Sequence, residues 1–349
     1  MYGSGLHLPM AVRKSKIVRK ARSARRRTLR RWRIFRSPRG TYLDLSPDYR
    51  RTLLLVGSAR SGSTWLSDVL EESLRARMVF EPLRRDKVAL ARAGPWGRSA
   101  EPAERDDALD AVLRRILTGR VRSHWSDKFN RVRLPRRRLV KEIRATNLLP
   151  RIVARYPGMP VVYLLRHPIP AAWSAADLHW KPYLGEFLSQ PKLVDGPLAP
   201  LRALVDEIAA GDDPFERHVL RWCMENYVPV HGLAPGSVHV VLYENVVEDP
   251  EGEIDRLRRY LQRFGDRWAL GSRRPAALDL PSRANYRGTP VLGVEERLGA
   301  WRHEVPPAQI GRALAVVGAF GLDRIYGDDV RPLVGPEEVL EGTAGDACT

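Results

Sequence analysis

One short stretch restricts what this chain can become more than any other. Arg51–Val56 (RTLLLV) is apolar enough for a strand buried on both faces, and it ends at Gly57. The residues that follow read Ser58-Ala59-Arg60-Ser61-Gly62-Ser63-Thr64-Trp65, and from Ser63 to Arg75 the residues Leu66, Val69 and Leu70 recur at helical spacing. A buried strand that turns through a glycine-bracketed loop into a helix aims the first N–H groups of that helix at the loop. Those groups have no partner inside the helix, and the positive end of its dipole lies there too. An anionic phosphate is the natural occupant. Gly57 and Gly62 allow the tight turn, Ser61, Ser63 and Thr64 add hydroxyls, and Arg60 adds a positive charge.

The rest of the chain continues the alternation. Strands are expected at Ala76–Phe80, Arg138–Ile143, Val161–Leu165 (VVYLL) and Val238–Leu242. Helices are expected at Glu104–Leu117, from Pro168 onward, and at Phe215–Val230, Pro250–Phe264 and Pro307–Gly318. This order predicts an α/β domain around a mainly parallel sheet. Asp328 onward reads as a loosely ordered tail. No repeat recurs along the chain.

The spacing of the loop is that of a Walker motif, but Ser63 stands where that motif has Lys, and the cation is Arg60 instead. A kinase also wants an Asp at the end of a second buried strand to organise magnesium. Here that strand, Val161–Leu165, ends in Arg166, which would repel the metal. An Arg at the carboxyl end of a buried strand faces the crevice of an open α/β sheet and offers a bidentate fork for phosphate. Ser174, eight residues on, can add a hydroxyl on the same face.

At this point the sequence resembles the sulfotransferases that use 3′-phosphoadenosine 5′-phosphosulfate (PAPS). Their 5′-phosphosulfate motif matches Arg60-Ser61-Gly62-Ser63-Thr64-Trp65, and the Arg in the loop looks more like the carbohydrate branch. Their 3′-phosphate motif matches Arg166 and Ser174. Glu81-Pro82-Leu83, Lys141-Glu142, Tyr243-Glu244-Asn245 through Asp249-Pro250, and Leu298-Gly299-Ala300-Trp301-Arg302 follow in the family's order. The resemblance spans roughly residues 50 to 327. It implies a P-loop NTPase-like three-layer fold with a central, mainly parallel sheet, PAPS as co-substrate, no metal, and a hydroxyl-bearing acceptor such as a glycan, a glycosylated molecule or a small natural product. The domain is expected over 41–327, with 328–349 as the tail. The segment from Ser282 to Trp301 would close over the nucleotide; it has Ser282-Arg283 and Arg287-Gly288 where the small-molecule enzymes have Arg-Lys-Gly, so Arg283 and Arg287 become cofactor-binding candidates. The resemblance further implies Lys141 beside the transferring group, with Arg60 neutralising the leaving oxygen. The small-molecule branch has a His two residues after that Lys; this sequence has Ile143. The carbohydrate sulfotransferases that this chain resembles can instead use a Glu just after the second strand, and Glu81, in Phe80-Glu81-Pro82, matches that place as the general base; Glu142 and His179 are in reserve, and His167 is expected to serve packing. The chain is read as an enzyme, with a P-loop kinase or NTPase and a basic nucleic-acid or membrane-surface protein as the other readings.

Charge bears on the last of these. Residues 1–40 carry fourteen Lys or Arg and no acid, whereas the remainder has forty-five basic against forty-one acidic side chains, a balance of +4. The net +18 thus describes an arm, expected to be disordered, whose residues 13–39 offer a contact for anionic lipid or nucleic acid. Cys223 and Cys348 cannot build a disulfide framework and lack any zinc spacing. No apolar run approaches the roughly 18 residues of a membrane span. A cytoplasmic protein, able to associate with a membrane surface, is the expectation; the oligomeric state is left open.

Overall fold

The computed structural model of the chain describes residues 41–92, 104–271, 274–280, 283 and 293–341. The basic arm, Ser282, Arg287 and Cys348 lie outside these.

Five strands form the sheet: β1 (Thr52–Gly57), β2 (Arg77–Phe80), β3 (Arg138–Glu142), β4 (Val161–Leu165) and β5 (His239–Leu242). Their order is β2-β3-β1-β4-β5, and every pair is parallel. Each strand is buried along its whole length, and alternate side chains enter opposite layers. Leu54, Val56, Val79, Val140, Tyr163 and Val240 pack on one face, against α2 (Asp107–Leu117), α4 (Pro168–Asp177) and α6 (Pro214–Gly232). Leu53, Leu55, Met78, Leu139, Val162 and Val241 pack on the other, against α1 (Ser63–Leu74) and α7 (Pro250–Gln262). The result is the α/β domain around a parallel sheet that the strand–helix alternation predicts, in the three-layer form of P-loop type that the family resemblance implies. Among α2–α7, α3 is Leu149–Arg155 and α5 is the single turn Gly185–Leu188.

Local chemistry sets the ends of these elements. Asp213 accepts from the N–H groups of Phe215 and Glu216 at the start of α6, and Asp249 from that of Gly252 at the start of α7, each followed by Pro at the first helical position. At the amino ends of the strands, Arg77 and Arg138 stand side by side in register, both almost fully buried. Asp44 bridges them: Arg138 Nε lies 2.6 Å and Arg77 Nη1 3.1 Å from its Oδ2. Asp127 Oδ1 takes Arg77 Nη2 at 3.0 Å, and the Tyr42 ring covers the Arg77 guanidinium. This network fastens the extended segment 41–48 under the sheet.

One expectation fails. The stretch from Asp328, read as a loose tail, packs onto the body through residue 341: Val339 and Leu340 are buried in the core, Leu333 N–H donates to Ile325 O, and Arg324 Nη2 donates to Val339 O. Prolines, glycines and charges dominate its composition, but Val339 and Leu340, with Val330 and Val334 packed alongside, bind it to the core. Residues 342–349 lie outside the described residues.

No helix among the described residues is long and apolar enough to cross a membrane. Removing one partner of a buried ion pair leaves an uncompensated charge, at a cost of about 3–5 kcal/mol. Asp44→Ala is therefore expected to lower unfolding stability by about that amount in denaturant titration; a change below ~1 kcal/mol, the scale of an exposed pair, would contradict the clamp.

Candidate active site

β1 is the central strand, with β3 and β4 on either side, so the loop after it opens where ligands of parallel α/β sheets bind. Close approach fixes the loop's first residue: a Cβ on Gly57 would lie 2.5 Å from Leu164 O on β4. Gly62 is the N-cap of α1 in the left-handed region, φ +86°, and a Cβ there would strike the Tyr243 ring at 2.5 Å. No side chain caps α1, so its first N–H groups stay open to an incoming acceptor. Asn226 of α6 holds the loop from below. Its Nδ2 donates to Ser58 Oγ at 2.9 Å while its Oδ1 accepts from Tyr163 O–H at 2.7 Å.

The structure brings the two expected anion sites together. Arg60 Nε donates to Ser174 Oγ at 3.0 Å, across 114 residues of sequence, and its guanidinium sits 5.4 Å from the Trp180 ring. Arg166 Nη1 donates to Arg60 O at 2.9 Å and lies over the Tyr243 ring at 4.5 Å. Two polar atoms of this cluster are buried without a partner: Ser61 Oγ and Arg166 Nε. Orphaned donors beside two arginines and an uncapped helix are what an absent anion leaves behind, and so the residues present fit a phosphate-bearing ligand. Ser63, Thr64 and Trp65 form the first turn of α1, all three largely buried. Glu244 fixes the Arg166 turn by accepting from His167 N–H at 2.9 Å and from Tyr326 O–H at 3.0 Å. His167 does serve packing: it stacks on Trp301, and burial pushes its imidazole down to about 4.

A second cluster stands at the ends of β2 and β3. Lys141 is 2% exposed, and its Nζ lies 2.9 Å from Glu81 Oε1. Arg144 Nη1 takes the other oxygen, Oε2, at 3.2 Å. Despite burial, these two cations hold the Glu81 carboxyl down to about 2. Glu142 accepts from the N–H groups of Leu83, Ile143 and Arg144. Lys128 stands on the rings of Trp125 (3.6 Å), Phe80 (4.1 Å) and Phe129 (4.5 Å), and burial pushes its ammonium down to about 8.

Glu81, expected as the general base, stands as an ionised carboxylate with one oxygen on Lys141 and the other on Arg144. Arg283, expected to bind the nucleotide, is already neutralised on α1, where Nε meets Asp68 Oδ1 at 2.7 Å and Nη2 meets Glu71 Oε2 at 2.7 Å. Arg287 lies outside the described residues. Sequence reasoning missed Arg144 and Arg297. Arg297 Nε donates to Tyr243 O–H at 2.9 Å, and its guanidinium stacks 5.2 Å from Trp65 of α1. Its only signal in the sequence is its place beside the Leu298–Arg302 stretch. His179 is held at φ +53° with Nδ1 3.2 Å from Ala176 O.

Backbone strain marks the same region. Among the described residues five non-glycine residues have positive φ: Arg60, Arg75, Glu81, His179 and Tyr183. Arg75 is the C-cap of α1, but the other four surround the two clusters. Such conformations cost energy and persist where the surroundings enforce them, typically at functional sites. Among the described residues no group of three or more His, Cys, Asp or Glu side chains is placed to hold a metal ion.

Comparison with known proteins can now be set beside this geometry. The model of the sulfotransferase family matches residues 53–263, well over half of the chain. Three solved structures are similar. A sulfotransferase domain from the curacin biosynthetic pathway has 16% identity and a TM-score of 0.39, over 77% of this chain and 96% of that one. A sulfotransferase domain from the olefin synthase of Synechococcus PCC 7002 has 14% identity and a TM-score of 0.37, over 77% and 94%. A sulfotransferase from Alicyclobacillus acidocaldarius has 15% identity and a TM-score of 0.34, over 76% and 95%. No curated protein matches the chain. The family match runs unbroken from β1 through the loop before α1 to the end of α7, and on it the chain belongs to the sulfotransferase family.

Proposed function

We propose that the chain moves a sulfuryl group from PAPS to an acceptor hydroxyl on a glycan, a glycosylated molecule or a small natural product. The observation that carries this reading is the convergence of Arg60, Arg166 and Ser174 on the uncapped start of α1, with Ser61 Oγ and Arg166 Nε still unpartnered. PAPS, when bound, supplies the activated sulfuryl group and a phosphate as leaving group. The α1 N–H groups, the loop hydroxyls and Arg60 hold the 5′-phosphosulfate and offset the negative charge that grows on the bridging oxygen. Arg166 and Ser174 hold the 3′-phosphate. Lys141, buried on Glu81, adds a fixed positive charge beside the same crevice. The cationic end of β4 favours this arrangement over a magnesium-dependent kinase, whose metal needs a carboxylate there.

Calorimetric titration with 3′-phosphoadenosine 5′-phosphate is expected to show one site per chain. Arg60→Ala and Arg166→Ala should each weaken it about ten- to a hundredfold, in line with the ~1.5–3 kcal/mol of a hydrogen bond to a charged group. Unchanged affinity in both variants would overturn the assignment, and binding of magnesium ATP without the bisphosphate would move the loop to the kinase class. Gly62→Ala must adopt φ +86° and displace the Tyr243 ring. It is expected to lower bisphosphate affinity at least tenfold, about 1.4 kcal/mol; affinity equal to wild type would show that the turn is not needed for binding.

A further inference from the structure

Beside the Lys141–Glu81–Arg144 cluster, one cation has no anion of its own among the described residues. Phe80 packs edge to face on Trp125 and on Phe129, with ring centroids 5.6 Å and 4.8 Å apart. Lys128 places its ammonium on all three rings, 3.6 Å from the centre of the Trp125 ring. Three other cations touch the same rings, each with a carboxylate to hold it. Lys141 lies 4.7 Å from Phe80 and meets Glu81. Arg84 lies 4.3 Å from Trp125 and meets Asp86. Arg283 lies 4.7 Å from Phe129 and meets Asp68 and Glu71. No hydrogen bond or ion pair takes the Lys128 ammonium among the described residues. An ammonium has three donors, and ring faces offset only part of what it loses on leaving water. The indole it rests on repeats the pattern, for Trp125 Nε1 is a buried donor without an acceptor.

The backbone fixes where these two donors stand. Phe80 is the last residue of β2 and directly precedes Glu81. Its N–H donates to Ser126 O at 2.8 Å, which ties the segment carrying Trp125 and Lys128 to that strand end. Lys128 and Lys141 stand on the same Phe80 ring, so a single ring links the unpaired ammonium to the Lys141–Glu81 pair. In the strand order β3 separates β2 from β1, and β4 lies further off. Two strand spacings amount to about 10 Å, so these donors suit a group other than the phosphates assigned to the ends of β1 and β4.

We propose that Lys128 and Trp125 Nε1 bind an oxyanion of the acceptor, a carboxylate or a sulfate, and so select an anionic acceptor; the inference rests on the sulfuryl-transfer reading above. Two oxygens of one such group can meet the two donors, one each, whereas a neutral acceptor leaves both unmet. An acceptor held there has the rest of its atoms beside Glu81 and Lys141. Lys128 is then a specificity-determining residue and takes no part in the transfer itself. Half-burial pushes its ammonium down to about 8, with Glu81 opposing that shift and Lys141 and Arg84 adding to it. It is thus still a cation at neutral pH, and a bound anion favours the charged form further.

The test uses the full chain with 3′-phosphoadenosine 5′-phosphate bound, titrated calorimetrically with three glycosides: methyl β-D-glucuronide, methyl β-D-glucoside 6-sulfate and neutral methyl β-D-glucoside. At least one anionic glycoside is expected to bind about tenfold or more tightly than the neutral one, the scale of a hydrogen bond to a charged group. Which of the two is preferred distinguishes carboxylate from sulfate. Lys128→Met keeps an apolar stem on the rings and should bind all three glycosides alike, with bisphosphate affinity and unfolding midpoint as in wild type. Lys128→Arg should keep part of the preference. A second readout needs no variant: acetic anhydride should label Lys128 in the wild-type chain, and the preferred anionic glycoside should protect it where the neutral one does not. If the wild-type chain fails to bind the bisphosphate, the sulfuryl-transfer reading falls and takes this inference with it. If the bisphosphate binds but wild type shows no preference for an anionic glycoside, or binds none of the three, the inference alone is overturned. The same holds if Lys128→Met keeps the preference, or if Lys128 is labelled equally with either glycoside present.

Discussion

Two arginines meet at the open start of a helix, and most of the site follows from that. Arg166 donates to the carbonyl of Arg60, so both positive side chains sit within one loop's width of the α1 dipole. Like charges gathered at the positive end of a helix repel one another, and an anion relieves all three at once. The sheet makes the gathering possible. β1 and β4 are neighbours, their carboxyl ends coincide, and Gly57 lets the loop lie against Leu164 without a side chain between them.

Across β1, the ends of β2 and β3 handle charge differently. There two cations, Lys141 and Arg144, hold the carboxylate of Glu81 between them, and Glu142 lies 3.4 Å from Arg144. Two groups of charged side chains thus flank β1, one at the ends of β1 and β4 and one at the ends of β2 and β3. Trp180 and Tyr183 expose aromatic surface, with Trp180 beside Arg60.

Much of this was legible in the sequence because it is local. The apolar strands declare themselves by composition, and the glycine-bracketed loop declares itself by its place between strand and helix. Arg166 and Ser174 could be expected on one face because eight residues span about two helical turns, but the bond that Ser174 makes to Arg60 crosses 114 residues and left no local signal. The partners of Glu81 were not legible, since Lys141 in β3 and Arg144 just after it lie some sixty residues away. The ion pairs of Arg283 were hidden for a similar reason: Asp68 and Glu71 present carboxylates on α1, and nothing near Arg283 in the sequence announces them. The tail from Asp328 was misread because its average composition is polar, although Val339 and Leu340 are buried in the core and Val330 and Val334 pack against it.

The most direct test of the central claim is crystallographic: difference density for the chain with 3′-phosphoadenosine 5′-phosphate bound. The account predicts the 5′-phosphate on the N–H groups at the start of α1, beside Arg60 and Ser61. It predicts the 3′-phosphate on Arg166 and Ser174. Density for either phosphate away from these residues, or a ligand bound elsewhere with the α1 terminus still bare, would contradict it.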